Sequence, residues 1–92
     1  MTAFVLAGDQ PHHRLGVTAS RRMSVKAFER NRAKRLLKET FRLHTHTLDR
    51  LQLKYDWVLN AKKTLLSVKI WEAFEEFDRI VKRVESDEAW NS

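Results

Sequence analysis

The chain has no cysteine, and its 92 residues include only two glycines and one proline. The absence of cysteine excludes disulfide bonds and thiolate chemistry, and it is typical of a reducing compartment. The sequence also has no run of 18 or more apolar residues, and its N-terminus has no basic segment followed by an apolar stretch. These absences argue against a membrane span and a secretory signal, so we expect a cytoplasmic protein.

Catalytic patterns are absent as well. The carboxylates Asp9, Glu39, Asp56 and Glu72 are scattered over different parts of the chain, and no Ser/His/Asp arrangement accompanies them. A chain of 92 residues forms one domain and is too short for a core plus a separate catalytic domain. We therefore expect a single domain with an ordered core at about residues 3–84, a frayed tail at 85–92, and no catalytic side chains of its own.

What the chain does have is positive charge, and that charge is unevenly distributed. The net charge is +6 at pH 7. Residues 1–45 contain ten Lys and Arg against three Asp and Glu, whereas residues 46–92 contain eight against nine. Because the excess belongs to one half of the chain, it indicates a surface with a binding function rather than general solubilisation.

Three short segments have the patterns of β-strands. The apolar run TAFVLAG (2–8) is closed by turn residues, and RLGVTASR (14–21) alternates between apolar and small or polar residues. We expect these two segments to form an antiparallel hairpin, followed by a loop at residues 21–27. YDWVLNAKK (55–63) is a third predicted strand, with Trp57, Leu59 and Ala61 on one face.

Two segments have the 3.6-residue period of amphipathic helices. The first is predicted at about residues 28–48, and the second from about Ser67, as its N-cap, to about Val84. The order strand, strand, helix, strand, helix predicts an α+β fold, a small two-layer sandwich with both helices on one sheet face. The apolar stripe of the first helix is Ala33, Leu37, Phe41, His44 and Leu48, and that of the second is Ile70, Phe74, Phe77, Val81 and Val84.

The segment ERNRAKRLLKETFR (29–42) places the positive charge on the first helix, opposite its apolar stripe. On a helical wheel, Asn31, Arg35, Lys38 and Arg42 lie together, with Arg30 and Lys34 on one side and Arg32 on the other. Like charges at this spacing repel one another, and cations are disfavoured near a helix N-terminus. The placement opposes the stability of the helix, and its simplest cause is a bound polyanion.

Several kinds of polyanion could bind this face of the helix. Arginine favours bidentate contacts to phosphate, and Asn31 can bind a sugar or a base edge. Duplex DNA is disfavoured because a face of Arg and Lys with one Asn reads base edges poorly. A membrane surface is disfavoured because the sheet needs the apolar face of the helix. Binding to an acidic protein partner is an open alternative, and this alternative predicts little affinity for RNA at moderate salt.

Three segments of the sequence resemble those of a known family. AFERNRAKRLLKETFR is similar to the signature of the bacterial ribonuclease P protein component, in which Arg-Asn-Arg, one apolar residue and Lys-Arg follow one another. HRLGVTASRR and YDWVLNAKK are similar to two strands of that family, in the right order and spacing. The resemblance covers about residues 3–84.

The resemblance implies a specific function. The family is the protein subunit of an RNA-based endonuclease that removes the 5′ leader from precursor tRNA, with the catalytic Mg²⁺ ions held mainly by the RNA. A cleft on the exposed sheet face receives the leader, and its matching positions are Arg21, Arg22, Lys62 and Lys63. The positions that match contacts to the ribonuclease P RNA are Arg30, Asn31, Arg32, Lys34, Arg35, Lys38 and Arg42.

The resemblance also implies a fold similar to domain 2 of ribosomal protein S5, with a left-handed βαβ crossover between residues 14–21 and 55–63. Two departures from the family are expected to matter. Ala33 stands where the family usually has Ile or Val. The family also begins with a helix and a strand that have no counterpart before residues 2–8, and that helix forms one wall of the leader cleft. The alternative is a ribosomal-type or other structured-RNA-binding protein without a role in cleavage.

The remaining histidines and aromatic residues have plainer interpretations. A metal site is not expected, because the His44/His46 spacing points the two rings apart and His12/His13 offers too few ligands. We expect His44 at the edge of the core and Asp56 as a turn carboxylate rather than a partner of basic residues. Trp57 and Trp71 are expected in the core, whereas Phe4 could face either solvent or core.

Overall fold

The computed structural model describes residues 1–91. Its elements in chain order are β1 (Thr2–Ala7), β2 (Arg14–Thr18), α1 (Ala27–Arg42), α2 (Thr45–Asp49), β3 (Tyr55–Asn60), a short 3₁₀ helix (Lys63–Ser67) and α3 (Ile70–Asn91). Within these residues, none of the helices combines the length and the apolar character that a membrane crossing needs. The order of strands and helices confirms the predicted α+β class.

The three strands form one sheet with the order β1-β3-β2. Strand β3 pairs with β1 in antiparallel register, Thr2 opposite Asn60, and with β2 in parallel register, Arg14 opposite Asp56. The predicted hairpin between β1 and β2 is therefore wrong. Strand β3 has the most fully buried face, so it takes the centre, where both of its edges are hydrogen-bonded. The expected βαβ crossover requires that β2 and β3 be parallel, and they are. The left-handed sense of this crossover stays a prediction.

The two faces of the sheet differ in what covers them. On one face Tyr55, Trp57 and Leu59 are buried, and Trp57 contacts Phe41 of α1 and Phe77 of α3 through ring edges. The other face, which we call the open face, carries the exposed side chains of Phe4, Leu6 and Val58. This arrangement confirms the two-layer sandwich with both long helices on one side of the sheet.

The predicted stripe of α1 forms much of the core. Ala33, Leu37, His44 and Leu48 are buried, and Phe41 is half-buried. In α3 the buried residues are Ala73, Phe77 and Val81, whereas Ile70 at the start of the helix is 42% exposed. Ala73 was missed because a lone alanine gives little apolar signal, yet it is completely buried.

The first helix does not continue to residue 48 as predicted, but ends at Arg42 and resumes as α2. The carbonyls that a continuous helix would use are partly taken by side chains. His44 Nδ1 lies 2.8 Å from the Thr40 carbonyl oxygen, and the Thr45 hydroxyl donates to the Arg42 carbonyl oxygen at 2.7 Å. The His44 amide instead donates to the Phe41 carbonyl, which tightens the turn.

Both predicted ends of the last helix are also displaced. Ser67 closes the 3₁₀ helix, where its hydroxyl donates to the Thr64 carbonyl oxygen, so it is not the N-cap of α3. The helix continues past Val84 to Asn91, and Glu88 within this extension contacts the segment before β3. Of the predicted frayed tail, only Ser92 lies outside the described residues.

Trp71 is 54% exposed, so its predicted place in the core is wrong. It is two residues before Ala73, which places it on the other side of α3 from the buried residues Ala73, Phe77 and Val81. Trp57 is buried, as predicted, and Phe4 projects from the open face and is exposed.

Candidate nucleic-acid interface

The loop before α1 fixes the start of the basic helix. The Ser24 hydroxyl donates to the Glu29 carboxylate at 2.5 Å and accepts the Lys26 amide at 3.1 Å. Arg30 donates from its guanidinium to the Ser24 carbonyl oxygen at 2.9 Å. Glu29 in the first turn also favours the helix dipole. One of the predicted RNA-binding side chains, Arg30, is therefore half-buried and partly engaged within the chain.

Further along α1, four cations have no hydrogen-bonding or ionic partner among residues 1–91. Arg32, Arg35 and Lys38 are exposed and Lys34 is half-exposed. Across residues 1–91, none of these four side chains makes a hydrogen bond or an ion pair. We call them the free cations of α1. Asn31, which lies among them, is exposed and equally unengaged.

Arg42 at the end of the same face behaves differently. Its guanidinium pairs with the Glu39 carboxylate, with one contact of 3.1 Å from Nε to Oε2. The hydrogen bond from Arg42 holds the pKa of Glu39 below its usual range. Since this pair is exposed, it contributes little to stability, but it directs the Arg42 charge along the helix surface.

The free cations lie at spacings where side chains are neighbours on a helix. Arg32 and Arg35 are three residues apart, and Lys34 and Lys38 are four apart. Like charges at these spacings destabilise a helix by roughly 0.2–0.5 kcal/mol per pair. A bound anionic partner would replace each of these repulsions between side chains by an attraction to the partner. The geometry suits a run of phosphates, with arginine able to bind two oxygens of one phosphate.

The second predicted set, Arg21, Arg22, Lys62 and Lys63, is brought together at one end of the sheet. Strands β2 and β3 are parallel, and the Ala61 amide donates to the Thr18 carbonyl oxygen at 2.9 Å. The segments that follow the two strands therefore leave the sheet side by side. All four side chains are exposed. Arg21, Arg22 and Lys63 line one depression of about 330 Å³ beside the start of α1, and Lys62 does not.

The open face of the sheet extends from this basic end. Its central row is Phe4, Val58 and Gly16, which lie opposite one another across the three strands. Phe4 and Leu6 are more than half exposed and Val58 is 38% exposed, which leaves an apolar strip without cover from residues 1–91. This is an exposed apolar surface with one aromatic side chain, Phe4, and strand periodicity alone did not reveal it.

Arg14 and Asp56 close the far end of the open face. The guanidinium of Arg14 binds both oxygens of Asp56, at 2.7 and 2.8 Å, across the β2–β3 pairing. The hydrogen bonds from Arg14 lower the pKa of Asp56. The interpretation of Asp56 as a turn carboxylate is therefore wrong, since it lies within β3 and pairs with a basic residue of the sheet.

His13 is a structural residue that sequence reasoning missed. Its Nδ1 accepts the Tyr55 amide at 3.0 Å and the Trp57 indole N–H at 3.1 Å, so the ring is neutral and Nε2 donates to the Leu48 carbonyl at 3.2 Å. Burial lowers the pKa of His13. The residue joins the start of β2 to α2 and β3.

His44 lies deeper than the predicted edge of the core, because its ring is fully buried and stacks on Phe74 at a centroid distance of 4.0 Å. Its Nε2 has no hydrogen-bond partner and lies 3.6 Å from an Asp78 carboxylate oxygen. Across residues 1–91, no group of three or more His, Asp or Glu side chains is placed to hold a metal ion.

Comparisons with known proteins agree with the signature on α1. The family model described as Ribonuclease P matches residues 1–85. The ribonuclease P protein component of Yersinia enterocolitica is 46% identical over 52 residues, which are 56% of this chain and 40% of that protein. That of Sodalis glossinidius is 36% identical over 72 residues, 78% of this chain and 57% of the relative. The chain therefore spans about half the length of these curated relatives.

The fold agrees with a solved structure as well. The ribonuclease P protein from Thermotoga maritima superposes with a TM-score of 0.74 at 26% identity, over 90% of this chain and 76% of that one. Because the family model covers nearly the whole chain, from β1 into α3, the chain belongs to the ribonuclease P protein family.

Proposed function

We propose that the chain is the protein subunit of the ribonucleoprotein ribonuclease P, which binds the catalytic RNA and assists removal of the 5′ leader from precursor tRNA in the cytoplasm. The observation that carries the proposal is the set of four free cations on the exposed face of α1. Their alignment destabilises the helix through like-charge repulsion, and binding to a polyanion would make the same alignment favourable.

The physical role of α1 in this proposal is to neutralise phosphates. Each phosphate that meets an Arg or Lys releases condensed counterions, so affinity is expected to fall steeply with salt. Docking on the rigid helix fixes the position of the catalytic RNA relative to the protein and the substrate. The cations also reduce the repulsion between the catalytic RNA and the precursor tRNA. The side chains of α1 bind and orient, and no bond chemistry is assigned to them.

The metal ions belong to the RNA in this proposal. Mg²⁺ bound there supplies the charge stabilisation for hydrolysis of the phosphodiester. The described carboxylates and histidines offer no cluster for such an ion, and Asp56 and Glu39 are already paired with arginines. The contribution of this chain is thus electrostatic and positional.

The leader is assigned to the basic end of the sheet and the neighbouring open face. Phosphates would contact Arg21, Arg22, Lys62 and Lys63, all exposed at the ends of β2 and β3. Unpaired bases would lie on the apolar strip that includes Phe4. A basic groove beside an aromatic surface is a common arrangement for single-stranded nucleic acid, and it is tolerant of sequence.

The test adds the purified protein to a bacterial ribonuclease P RNA at low Mg²⁺ and follows precursor tRNA cleavage. Arg35→Ala/Lys38→Ala removes two free cations that make no hydrogen bond or ion pair within residues 1–91, so we expect the fold to be retained. The matched control is Arg79→Ala/Arg83→Ala, which removes two exposed cations of α3. We expect wild type and control to stimulate cleavage, and the α1 variant to bind the RNA about a hundredfold more weakly, since a hydrogen bond to a charged group contributes roughly 1.5–3 kcal/mol.

Three results would count against parts of the proposal. Equal loss in the α1 variant and the α3 control would show that only total charge matters, and not the α1 face. Tight RNA binding without any stimulation of cleavage would support the alternative, a structured-RNA-binding protein without a role in cleavage. Absence of RNA binding by the wild type would refute the proposed function.

A further inference from the structure

A groove lies between α1 and the segment that leads into α3. Its volume is about 550 Å³. The floor is apolar and includes Ala33, Leu36, Leu65 and Ile70. Ala33 and Leu65 are buried, whereas Ile70 forms an exposed wall at 42% exposure. A side chain longer than alanine at position 33 would reduce this space.

The rim of the groove is positively charged. Arg32 and Arg35, two of the free cations of α1, stand on one side, and Lys69 stands on the other. The only carboxylate among the lining residues is Glu39, and its charge is offset by Arg42. The groove therefore combines an apolar floor with three cations that have no partner within residues 1–91.

The size and charge of the groove restrict what can occupy it. A volume of about 550 Å³ is in the range of small-molecule pockets, which is enough for one nucleotide and too small for a protein helix with its side chains. A nucleotide also matches the chemistry, because its base is flat and largely apolar on its faces while its phosphates are anionic. Arginine can stack on a base and bind a neighbouring phosphate with the same guanidinium.

We propose that this groove receives one unpaired nucleobase of the RNA that docks on α1, with the flanking phosphates on Arg32, Arg35 and Lys69. The inference rests on the proposed function and deepens it, since it adds a site for a single extruded base to a surface otherwise assigned to phosphates. The groove is continuous with the free cations because Arg32 and Arg35 belong to both.

The experiment compares Ile70→Ala with Leu43→Ala as a matched control. The two residues are similarly exposed, at 42% and 45%, but Leu43 lies outside the groove. Affinity for the ribonuclease P RNA is measured over a range of salt concentrations, and each nucleotide is probed chemically with and without protein. We expect Ile70→Ala to lose about five- to tenfold in affinity at every salt concentration, as base-stacking contacts do on truncation.

The salt dependence distinguishes the groove from the phosphate contacts. Arg35→Ala is expected to reduce the slope of log affinity against log salt by about one, whereas Ile70→Ala leaves the slope unchanged. In the probing experiment, Ile70→Ala should expose a single nucleotide that the wild type protects and leave the neighbouring protections in place. Ala33→Leu, which fills the floor, should expose the same nucleotide, and thermal unfolding checks that each variant is folded.

The outcomes separate the two proposals. If Ile70→Ala and Leu43→Ala bind alike and protect the same nucleotides as the wild type, the groove takes no base and the inference is overturned, while the function of α1 stands. If the wild type does not bind the RNA, both proposals fail. If Ile70→Ala binds RNA normally but loses an acidic protein partner, the groove is a protein-binding site and the inference is again overturned.

Discussion

Helices α1 and α3 pack side by side on one sheet face, yet their charges are opposite. Helix α1 has six Lys and Arg against two Glu, and α3 has three Lys and Arg against seven Asp and Glu. Each helix also carries charges that oppose its own dipole: Arg30 in the first turn of α1, and the acidic residues near the end of α3. Arg30 and Glu88 both find partners inside the protein, so the difference between the helices lies in their other charges.

Two of the acidic residues near the end of α3 have partners inside the protein. Glu88 accepts hydrogen bonds from the amides of Gln52 and Leu53, at 2.9 and 3.0 Å, and from the Tyr55 hydroxyl at 2.5 Å. Glu85 pairs with Arg50 at 3.3 Å. In α1 only Arg30 and Arg42 have such contacts, and the four free cations have none within residues 1–91. The alignment of these four cations on one helix face, rather than the lack of a partner for any single one, indicates an external anion.

The largest effect on stability is expected at Glu88. Glu88→Ala removes three hydrogen bonds and should lower the free energy of unfolding by about 2 kcal/mol, with RNA affinity unchanged within about twofold. Urea unfolding and RNA titration measure the two quantities. Glu85→Ala is the matched control, because its exposed ion pair contributes about 0–1 kcal/mol. Equal destabilisation by both variants would contradict the role given to Glu88.

The same contact predicts a pH dependence. Desolvation opposes ionisation of Glu88, but the hydrogen bonds from Tyr55, Gln52 and Leu53 outweigh it and hold its pKa below the usual range. Its contribution to stability is therefore complete above the ordinary carboxyl pKa of 4.5 and is lost as pH falls through the lower, folded value. Burial and the Glu88 carboxylate raise the pKa of Tyr55 to about 12, so the hydroxyl remains a donor throughout.

An intermediate effect is expected at His13, where the internal partners require an uncharged ring. Burial lowers the pKa of His13, so the folded state binds the proton less well than the unfolded state. Stability should be complete above pH 6.5 and should decrease as pH falls from there, because protonation removes the acceptor for Tyr55 and Trp57.

His13→Gln tests this dependence against His12→Gln, which changes an exposed neighbour. His13→Gln should be less stable by about 1–2 kcal/mol at pH 7.5 and should lose less stability than the wild type between pH 6.5 and 5. Thermal unfolding across this interval measures both. An unchanged pH profile in His13→Gln would assign the dependence to another group.

The smallest effect on stability is expected where the effect on RNA binding is largest. Arg35→Ala/Lys38→Ala should change the free energy of unfolding by less than about 0.5 kcal/mol, and in the stabilising direction, because it removes like-charge neighbours. Denaturant unfolding of the free protein provides the measurement. A loss of 1 kcal/mol or more would mean that these cations support the fold, and the contrast between the two helices would be weakened.

Periodicity predicted much of the packing, because burial in one layer imposes a repeat that survives in the sequence. The buried stripe from Ala33 in α1 to Leu48 in α2 and the buried face of β3 at Trp57 and Leu59 were identified in this way. The strand pairing was not, because alternation identifies a strand but not its neighbour, and sequence proximity favoured a β1–β2 hairpin.

Contacts made by side chains explain most of the other differences. The break before α2 depends on His44 and Thr45 binding carbonyls, which a helical wheel cannot show. The free cations of α1 were predicted as a charged face, but only the structure separates them from Arg30 and Arg42, which have partners. The groove beside Arg32 was unforeseen because its far wall comes from residues 65–70, about thirty positions along the chain.

The position of β3 at the centre of the sheet affects the order in which the chain can fold during synthesis. Strands β1 and β2 precede α1 in sequence, but neither has a backbone partner until residues 55–60 have emerged from the ribosome. Until then Leu37 and its neighbours on α1 have no sheet to cover them. The nascent chain thus carries its cations before it can present them on a packed helix, and the cationic face of α1 takes its final position only after β3 has joined the sheet.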